Sequence, residues 1–220
     1  MAERLQIWNA ALGHIGEGTR LGGLNEPGTP AEEIRRHYTA EREAMLAGHP
    51  WRFAERVVTL AGYTPLPPGT LYAYRVPADC LQMRKVSDRA EPGAPSIEWR
   101  LGGATTPEGD DVALVLADQP KLFGFYTKRV ENEASWPRLF ATAMEWRLAW
   151  AISYPITRDL ARREEAWRQF IFWWGEATAH DQRQVYELPR EGDYILARGG
   201  YDRLLPADAE PDYLRQYPVS

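Results

Sequence analysis

The chain has 220 residues, 44% of them hydrophobic, which suits one domain of moderate size or one domain with an insertion. Its formal net charge of -5 argues against a protein that holds nucleic acid by neutralising phosphates, because such binding needs an excess of Lys and Arg on a surface. The single cysteine, Cys80, excludes an intramolecular disulfide and a cysteine metal cluster, and no apolar run is long enough to predict a membrane span.

Two helices are predicted at the start of the chain. The first spans residues 2–16, and its apolar side chains recur at helical spacing: Leu5, Trp8, Leu12 and Ile15. The second starts at Thr29, where a T-x-x-E pattern ending at Glu32 predicts a capping box. It ends near His49, because Pro50 disfavours helix in the preceding residue. Its predicted buried stripe consists of Ile34, Tyr38 and Met45.

A bulky pair, Trp51 and Phe53, follows the second helix at the boundary with the next region. Two interpretations assign different roles to this pair. The side chains either seal the helical core, as paired aromatics at a helix end commonly do, or form an interface with another subunit.

Between residues 57 and 130 the pattern changes to short β-like runs separated by segments rich in Pro and Gly. The six runs are VVTLAGY, LYAYRV, CLQMRKV, IEWRL, VALVLA and LFGFYTKRV. Short, evenly spaced runs with no helix-length segment between them favour an antiparallel sheet or a small sandwich over parallel βαβ units. Cys80 falls in one of these strands and is expected to be a small buried hydrophobe.

Helix returns at about Ser135. One interpretation places five side chains along one side of this helix, which Pro155 then interrupts: Phe140, Ala143, Arg147, Trp150 and Tyr154. A further long helix is predicted from Thr157 to Tyr186, with a buried stripe of Leu160, Trp167, Ile171, Trp174 and Ala177. The mixed charges of RREEAWR, residues 162–168, indicate a solvated face rather than a binding patch.

The last segment, residues 189–220, is rich in Pro and Gly and has no helical period. A disordered tail usually has few aromatics, so this segment is predicted either to order on a partner or to pack on its own subunit. Tyrosine is favoured at interfaces because it buries a large area and keeps a polar tip. The candidate partner-binding residues are Tyr194, Tyr201, Leu204, Leu205, Tyr213, Leu214 and Tyr217.

The sequence contains no nucleophile elbow, phosphate-binding loop, dinucleotide fingerprint or zinc spacing. Because the histidines are dispersed, no cofactor and no metal site is predicted: His14, His37, His49 and His180. Glycoside cleavage needs two carboxylates that face one cleft. Glu17 and Glu55, which lie near helix ends beside aromatics, are the carboxylates considered for such a pair, and no catalytic residue is assigned.

Together these elements predict an α+β, mainly α, fold. Residues 1–56 and 131–188 are expected to form one helical bundle, because two isolated helical pairs would each bury little surface. Residues 57–130 are expected to form an inserted antiparallel β domain, spatially distinct from the bundle, and residues 189–220 an extended C-terminal arm.

Three segments, taken in order, resemble the tail tubular protein A family, the head-to-tail adaptors of short-tailed bacteriophages. The first spans residues 5–54, from LQIWNAALGHIGEGTR to HPWRFA, and is similar to the two N-terminal helices of the family, the turn between them and their HPW ending. The second, LYAYRVPADCLQMRKV, is similar to a strand pair of the family, and the third, AISYPIT, to the segment before its final helix. The residues beyond 189 have no counterpart in the likeness.

The resemblance implies a structural virion protein, not an enzyme, that forms a ring of twelve subunits between the portal protein and the next tail or nozzle protein. Genomic DNA would pass through the channel without specific binding, and no membrane is involved. The implied location is the neck or tail of the virion, after assembly in the bacterial host cytoplasm. The lone cysteine and the lack of a secretory pattern in the first residues fit this location. Two alternatives stay open: an adaptor that also hydrolyses peptidoglycan, and a protein-binding module outside a virion.

Overall fold

A computed structural model describes residues 2–106 and 108–183 of the chain. This part contains four α-helices: α1 (Ala2–His14), α2 (Thr29–Gly48), α3 (Arg138–Thr157) and α4 (Leu160–Arg183). Six strands lie between α2 and α3: β1 (Glu55–Thr59), β2 (Tyr72–Arg75), β3 (Cys80–Ser87), β4 (Arg100–Thr105), β5 (Asp111–Ala117) and β6 (Phe123–Lys128). Single 3-10 turns at Arg52–Ala54 and Glu133–Ser135 connect the strands to the helices. The predicted α+β class, with helices on both sides of an antiparallel β region, is therefore confirmed.

The strands form two antiparallel three-stranded sheets, with the orders β1-β6-β3 and β2-β5-β4. Each of the six predicted runs contains or overlaps one strand. The predicted strand pair of LYAYRVPADCLQMRKV is wrong, however, because β2 and β3 lie in different sheets. The chain passes from one sheet to the other through a turn in which the Cys80 backbone N–H donates to the carbonyl of Pro77 at 2.9 Å.

A hydrophobic core lies between the two sheets, as expected for a small sandwich. Both sheets and the segments beside them contribute buried side chains to it: Leu60, Tyr74, Met83, Val86, Val115, Ala117, Leu122 and Tyr126. Cys80 packs against this core but is only partly buried. Burial, together with the neighbouring Asp79 carboxylate, raises the pKa of the Cys80 thiol to about 11. The thiol is therefore protonated at neutral pH and unreactive as a nucleophile.

The four helices share a second hydrophobic core. Six of its largest fully buried side chains are Leu12, Ile15, Ile34, Leu46, Phe140 and Leu148. The predicted stripe of α2 is buried throughout, and that of α1 is buried except for Leu5, which is half-buried. Both N-terminal helices were therefore assigned the correct face.

The start of α2 differs from the prediction in its cap. Thr29 is the first helical residue rather than the capping residue, and no side chain caps the helix. Gly28 occupies the N-cap position with a φ of 121°, a backbone conformation that side chains rarely tolerate. Its carbonyl accepts the Glu32 backbone N–H at 3.1 Å, and Pro30 in the first turn has no N–H that needs a partner. The predicted capping box is wrong because the helix begins one residue earlier than a cap at Thr29 requires.

The buried face of α3 is also shifted. Phe140 and Ala143 are buried as predicted, but the stripe continues through Leu148 and Ile152, whereas Tyr154 is 40% exposed. The predicted stripe followed large aromatic side chains, whereas the helix turns its smaller aliphatic residues inward.

Pro155 does not interrupt α3 but lies inside its last turn. The helix ends at Arg158, which has a left-handed backbone with a φ of 56°. Asp159 then caps α4, because its carboxylate accepts the backbone N–H groups of Ala161 and Arg162 at 2.9 and 3.3 Å. The break between the two helices is therefore made by these two residues rather than by proline.

The predicted buried stripe of α4 is wrong in its first half. The side chains that face the core are Ala166, Phe170, Ala177 and Asp181. Leu160, Trp167 and Ile171 are instead 59%, 37% and 50% exposed. Trp174 and Ala177 pack on the helical core as predicted. The helix thus has apolar residues on two faces, and only one of them is covered.

Trp51 seals the helical core where the chain passes into the β region. It is 1% exposed, so it has no surface to offer another subunit. Its ring meets those of Phe140 and Trp174 edge-on, with centroids 4.9 and 5.3 Å away, and its Nε1 donates to the Met45 carbonyl at 2.9 Å. The first of the two sequence interpretations is therefore correct for Trp51.

Arg84 of β3 joins the β region to α2. Its Nη2 donates to the carbonyls of Ala47 and His49 at 2.6 and 3.0 Å, and its Nε donates to the Thr127 hydroxyl at 3.0 Å. The last carbonyls of a helix have no intrahelical donor, so an arginine from a strand here acts as the cap. Residues Met1–Gln182 accordingly form one compact unit, and the predicted boundaries near residues 57 and 131 stay predictions.

We expect Trp51→Ala to lower the free energy of unfolding by about 3–5 kcal/mol, because it removes a fully buried indole and leaves a cavity. Trp167→Ala is the matched control, since its side chain is 37% exposed and should cost only about 1 kcal/mol. Urea denaturation followed by far-UV circular dichroism measures both. Equal losses in the two variants would contradict the sealing role of Trp51.

Candidate interaction surface

All seven predicted partner-binding residues lie beyond residue 183, outside the described part of the chain: Tyr194, Tyr201, Leu204, Leu205, Tyr213, Leu214 and Tyr217. The predicted arm of residues 189–220 lies outside it as well. Within the described residues, an exposed apolar face is found on α4. Three exposed side chains form it: Leu160, Trp167 and Ile171.

A groove of about 520 Å³ lies between the end of α3 and the start of α4. Its walls include the indole rings of Trp150 and Trp167, whose centroids are 5.0 Å apart, and the side chain of Leu160. Arg163, Glu164 and Arg168 complete the lining. The left-handed backbone at Arg158 reverses the chain between the helices, and this reversal brings the two tryptophans together.

Arginine side chains stack on the aromatic rings around this groove. The Arg147 guanidinium lies 4.7 Å from the centroid of Trp150 and 5.4 Å from that of Trp167. The Arg163 guanidinium also lies near Trp150, 5.0 Å from the centroid of its ring. Just after α3, the Arg158 guanidinium lies 5.8 Å from the centroid of the Tyr154 ring. Each such contact contributes about 0.5–1 kcal/mol at an exposed site and holds the planar guanidinium in a fixed orientation.

These arginines differ in whether a carboxylate neutralises them. Arg147 donates to Glu41 at 2.5 Å, and Arg168 lies 2.6 Å from Glu165. Across residues 2–106 and 108–183, no carboxylate lies within salt-bridge distance of Arg158 or Arg163. An apolar groove with an unpaired guanidinium at its edge accepts a ligand that combines apolar groups with negative charge. Glu164 in the lining disfavours a ligand of dense negative charge.

The charged residues of RREEAWR are exposed or half-buried, which agrees with the predicted solvated face, but Trp167 of the same stretch was predicted to be buried and is 37% exposed. The groove was not predicted from the sequence because Trp167 had been assigned to the core. One signal in the sequence points to the surface: α4 has more large apolar residues than a single buried stripe needs.

The two carboxylates considered for catalysis do not have the environment of an acid and base pair. Glu17 accepts the backbone N–H of Thr19 at 3.0 Å, and hydrogen bonding by the side chain and the backbone of Thr19 lowers the pKa of its carboxyl group. A general acid for glycoside cleavage needs a raised pKa. Glu55 is exposed at the start of β1.

A buried charge cluster joins α1, α2 and the turn before α3. Glu133 accepts hydrogen bonds from Arg4 Nε at 2.6 Å and from the Tyr38 hydroxyl at 2.8 Å. Burial alone would raise the pKa of the Glu133 carboxyl group. The hydrogen bonds from Arg4, from the Glu133 backbone and from Tyr38, together with the positive charge of Arg4, outweigh this effect, so the pKa is lowered. Burial and the bond to Glu133 raise the pKa of Tyr38. Each group is satisfied inside the fold, so the cluster is structural.

Within residues 2–106 and 108–183, no group of three His, Cys, Asp or Glu side chains is placed to hold a metal ion. His14 stacks on Trp146 with centroids 3.7 Å apart, and His49 lies 3.2 Å from Asp181. None of the helices in the same part of the chain is both long and apolar enough to span a membrane.

We expect Glu133→Gln to destabilise the fold by about 1–3 kcal/mol at neutral pH, because it removes a buried charge-assisted hydrogen bond. Since folding lowers the pKa of Glu133, its carboxylate stabilises the protein above the unfolded pKa, and this contribution is lost as the pH falls through the folded pKa. The melting temperature of the variant should therefore fall less steeply than that of the wild type below about pH 5.

Thermal unfolding followed by circular dichroism across this pH range measures the effect. Glu131→Gln is the control, because its side chain is 69% exposed and should change little. A Glu133→Gln variant with the acid sensitivity of the wild type would show that Glu133 does not contribute as inferred.

The chain matches none of the protein-family models and none of the curated proteins with which it was compared.

Proposed function

We propose that this chain is a structural head-to-tail adaptor of a short-tailed bacteriophage, which forms a ring between the portal protein and the next tail or nozzle protein. The observation that carries the proposal is the ordered set of three segments similar to the tail tubular protein A family. These segments fall on α1 and α2 with the Trp51 seal, on β2 and β3, and on the end of α3. The first and third segments contribute side chains to the helical core, which supports a shared helical part, whereas the two strands of the second segment lie in different sheets.

In this proposal residues 1–56 and 131–188 act as a helical bundle, residues 57–130 as an inserted β domain and residues 189–220 as an extended arm. The shared core of the four helices supports the bundle. The cap that Arg84 places on α2 supports a rigid connection between bundle and insert. A rigid subunit is what a ring under a portal requires, since each copy must present the same faces to its neighbours.

The ring is proposed to have twelve subunits and to lie in the neck of the virion after assembly in the host cytoplasm. A net charge of -5 on every subunit favours a channel that repels DNA and lets it slide, rather than one that holds it. Genomic DNA is therefore a passing occupant and not a ligand.

The arm is proposed as the main element that binds the portal or a neighbouring subunit. Extended at about 3.3 Å per residue, the 24 residues from Tyr194 to Tyr217 would reach about 80 Å. Ordering such a segment costs entropy, so each arm binds modestly and the closed ring supplies the affinity through many contacts.

We expect a protein that lacks residues 190–220 to keep the far-UV circular dichroism of the parent and to lose ring assembly on purified portals. Co-sedimentation with portal measures the loss. A full-length variant with Tyr194, Tyr201 and Tyr213 replaced by Ser tests the same anchors without shortening the chain. A truncated protein that assembles at the wild-type concentration, or one that fails to fold, would contradict the proposed arm.

We expect the full-length protein to bind duplex DNA more weakly than about 1 µM at low salt, because its acidic surface offers few phosphate contacts. Fluorescence anisotropy of a labelled duplex measures the affinity. Submicromolar binding would contradict a channel through which DNA slides.

A further inference from the structure

We propose that the groove between Trp150 and Trp167 binds the acidic segment PADAEPDYL, residues 206–214, of a neighbouring copy of this chain. The inference rests on the proposed adaptor function and deepens it, because it gives the arm a receptor on the next subunit.

The receptor side has the composition of a protein-binding surface. Two tryptophans and Leu160 form an apolar groove, and the apolar face continues along α4 over Ile171, which is 50% exposed. Trp, Phe and Arg are the residue types enriched at protein interfaces, and a continuous exposed apolar face is uncommon on a surface that meets only water.

The arginine side chains of the groove favour an acidic occupant. Arg163 stacks on Trp150 and has no carboxylate partner among the described residues, while Arg168 reaches the groove from its exposed pair with Glu165. The segment 206–214 has three acidic residues and no basic one, and it ends in an aromatic and an aliphatic residue. Its acidic residues suit the guanidinium groups, and Tyr213 and Leu214 suit the indole rings.

Two prolines in the segment favour this assignment further. Pro206 and Pro211 restrict the free chain, so less conformational entropy is lost when the segment binds. A phosphate backbone carries one negative charge on every nucleotide, which is denser than three carboxylates spread over the segment 206–214, and Glu164 in the groove disfavours such a dense charge.

A contact between copies fits the geometry of a ring. Each subunit has one groove and one segment, so the contact between neighbours is heterologous. Such contacts form a closed ring when the rotations between successive subunits add up to a full turn. Exposed charge pairs bind weakly on their own, so one contact is transient and a full ring of such contacts is stable.

The test uses a full-length receptor with Asp208→Asn, Glu210→Gln and Asp212→Asn, so that its own segment does not compete. The probe is a fluorescein-labelled peptide of residues 206–214, and fluorescence anisotropy at low salt measures binding. We expect saturable binding that weakens about tenfold when Arg163→Glu and Arg168→Glu are added to the receptor. A peptide with Asn, Gln and Asn at the acidic positions should bind the unaltered groove equally weakly.

Arg36→Glu is the matched control. Arg36 and Arg168 are 68% and 73% exposed, and each pairs with a glutamate three residues earlier on its helix. Binding that Arg36→Glu weakens as much as the groove substitutions do, or that survives neutralisation of the peptide, would overturn the proposal. A single-stranded oligonucleotide that displaces the peptide at lower concentration would also overturn it and identify nucleic acid as the occupant.

The neighbouring copy is tested by photo-crosslinking of the full-length chain. One batch of protein is labelled with nitrogen-15 and has Tyr213 replaced with a photoreactive phenylalanine analogue. It is mixed with unmodified protein that contains nitrogen-14. We expect crosslinks that join a labelled peptide containing position 213 to an unlabelled peptide containing residues 160–168. Crosslinks between two labelled peptides alone would contradict a contact between copies. Peptide binding without ring assembly on portals contradicts only the adaptor function, and ring assembly without peptide binding contradicts only the groove.

Discussion

The carbonyl groups at the C-terminal end of α2 need donors, and two side chains supply them, one just after the helix in the chain and one from the β region. Trp51 donates to Met45, and Arg84 donates to Ala47 and His49. The indole ring of Trp51 is at the same time the plug of the helical core, while Arg84 belongs to the β region. One helix end thus connects the helical core to the β region.

The position of α4 follows from the same junction. Near its C-terminal end, Asp181 accepts the backbone N–H of Arg52 and lies beside His49, next to the sealed end of α2. At its N-terminal end, Asp159 caps the helix and Arg162 donates to the carbonyl of Ile15. A helix held at both ends has a fixed rotation about its axis. That rotation turns Phe170 inward and leaves the adjoining apolar stripe, with the Trp167 groove, at the surface.

Element positions could be predicted from the sequence because they depend on local chemistry. Proline and glycine separate the β runs, and Pro50 ends α2 where expected. The inward face of α4 could not be predicted, since apolar residues lie on two of its faces and helical periodicity fits either. Long-range contacts of Trp174 and Asp181 make that choice. The groove could not be predicted either, because nothing in the sequence places Trp150 beside Trp167.

Electron microscopy of negatively stained portals mixed with the full-length protein tests the adaptor function most directly. The portal and the protein should come from the same phage. The adaptor function predicts a second ring of density on one face of every saturated portal, with the rotational symmetry of the portal. Portals that stay bare at concentrations of the protein far above that of the portal would contradict it.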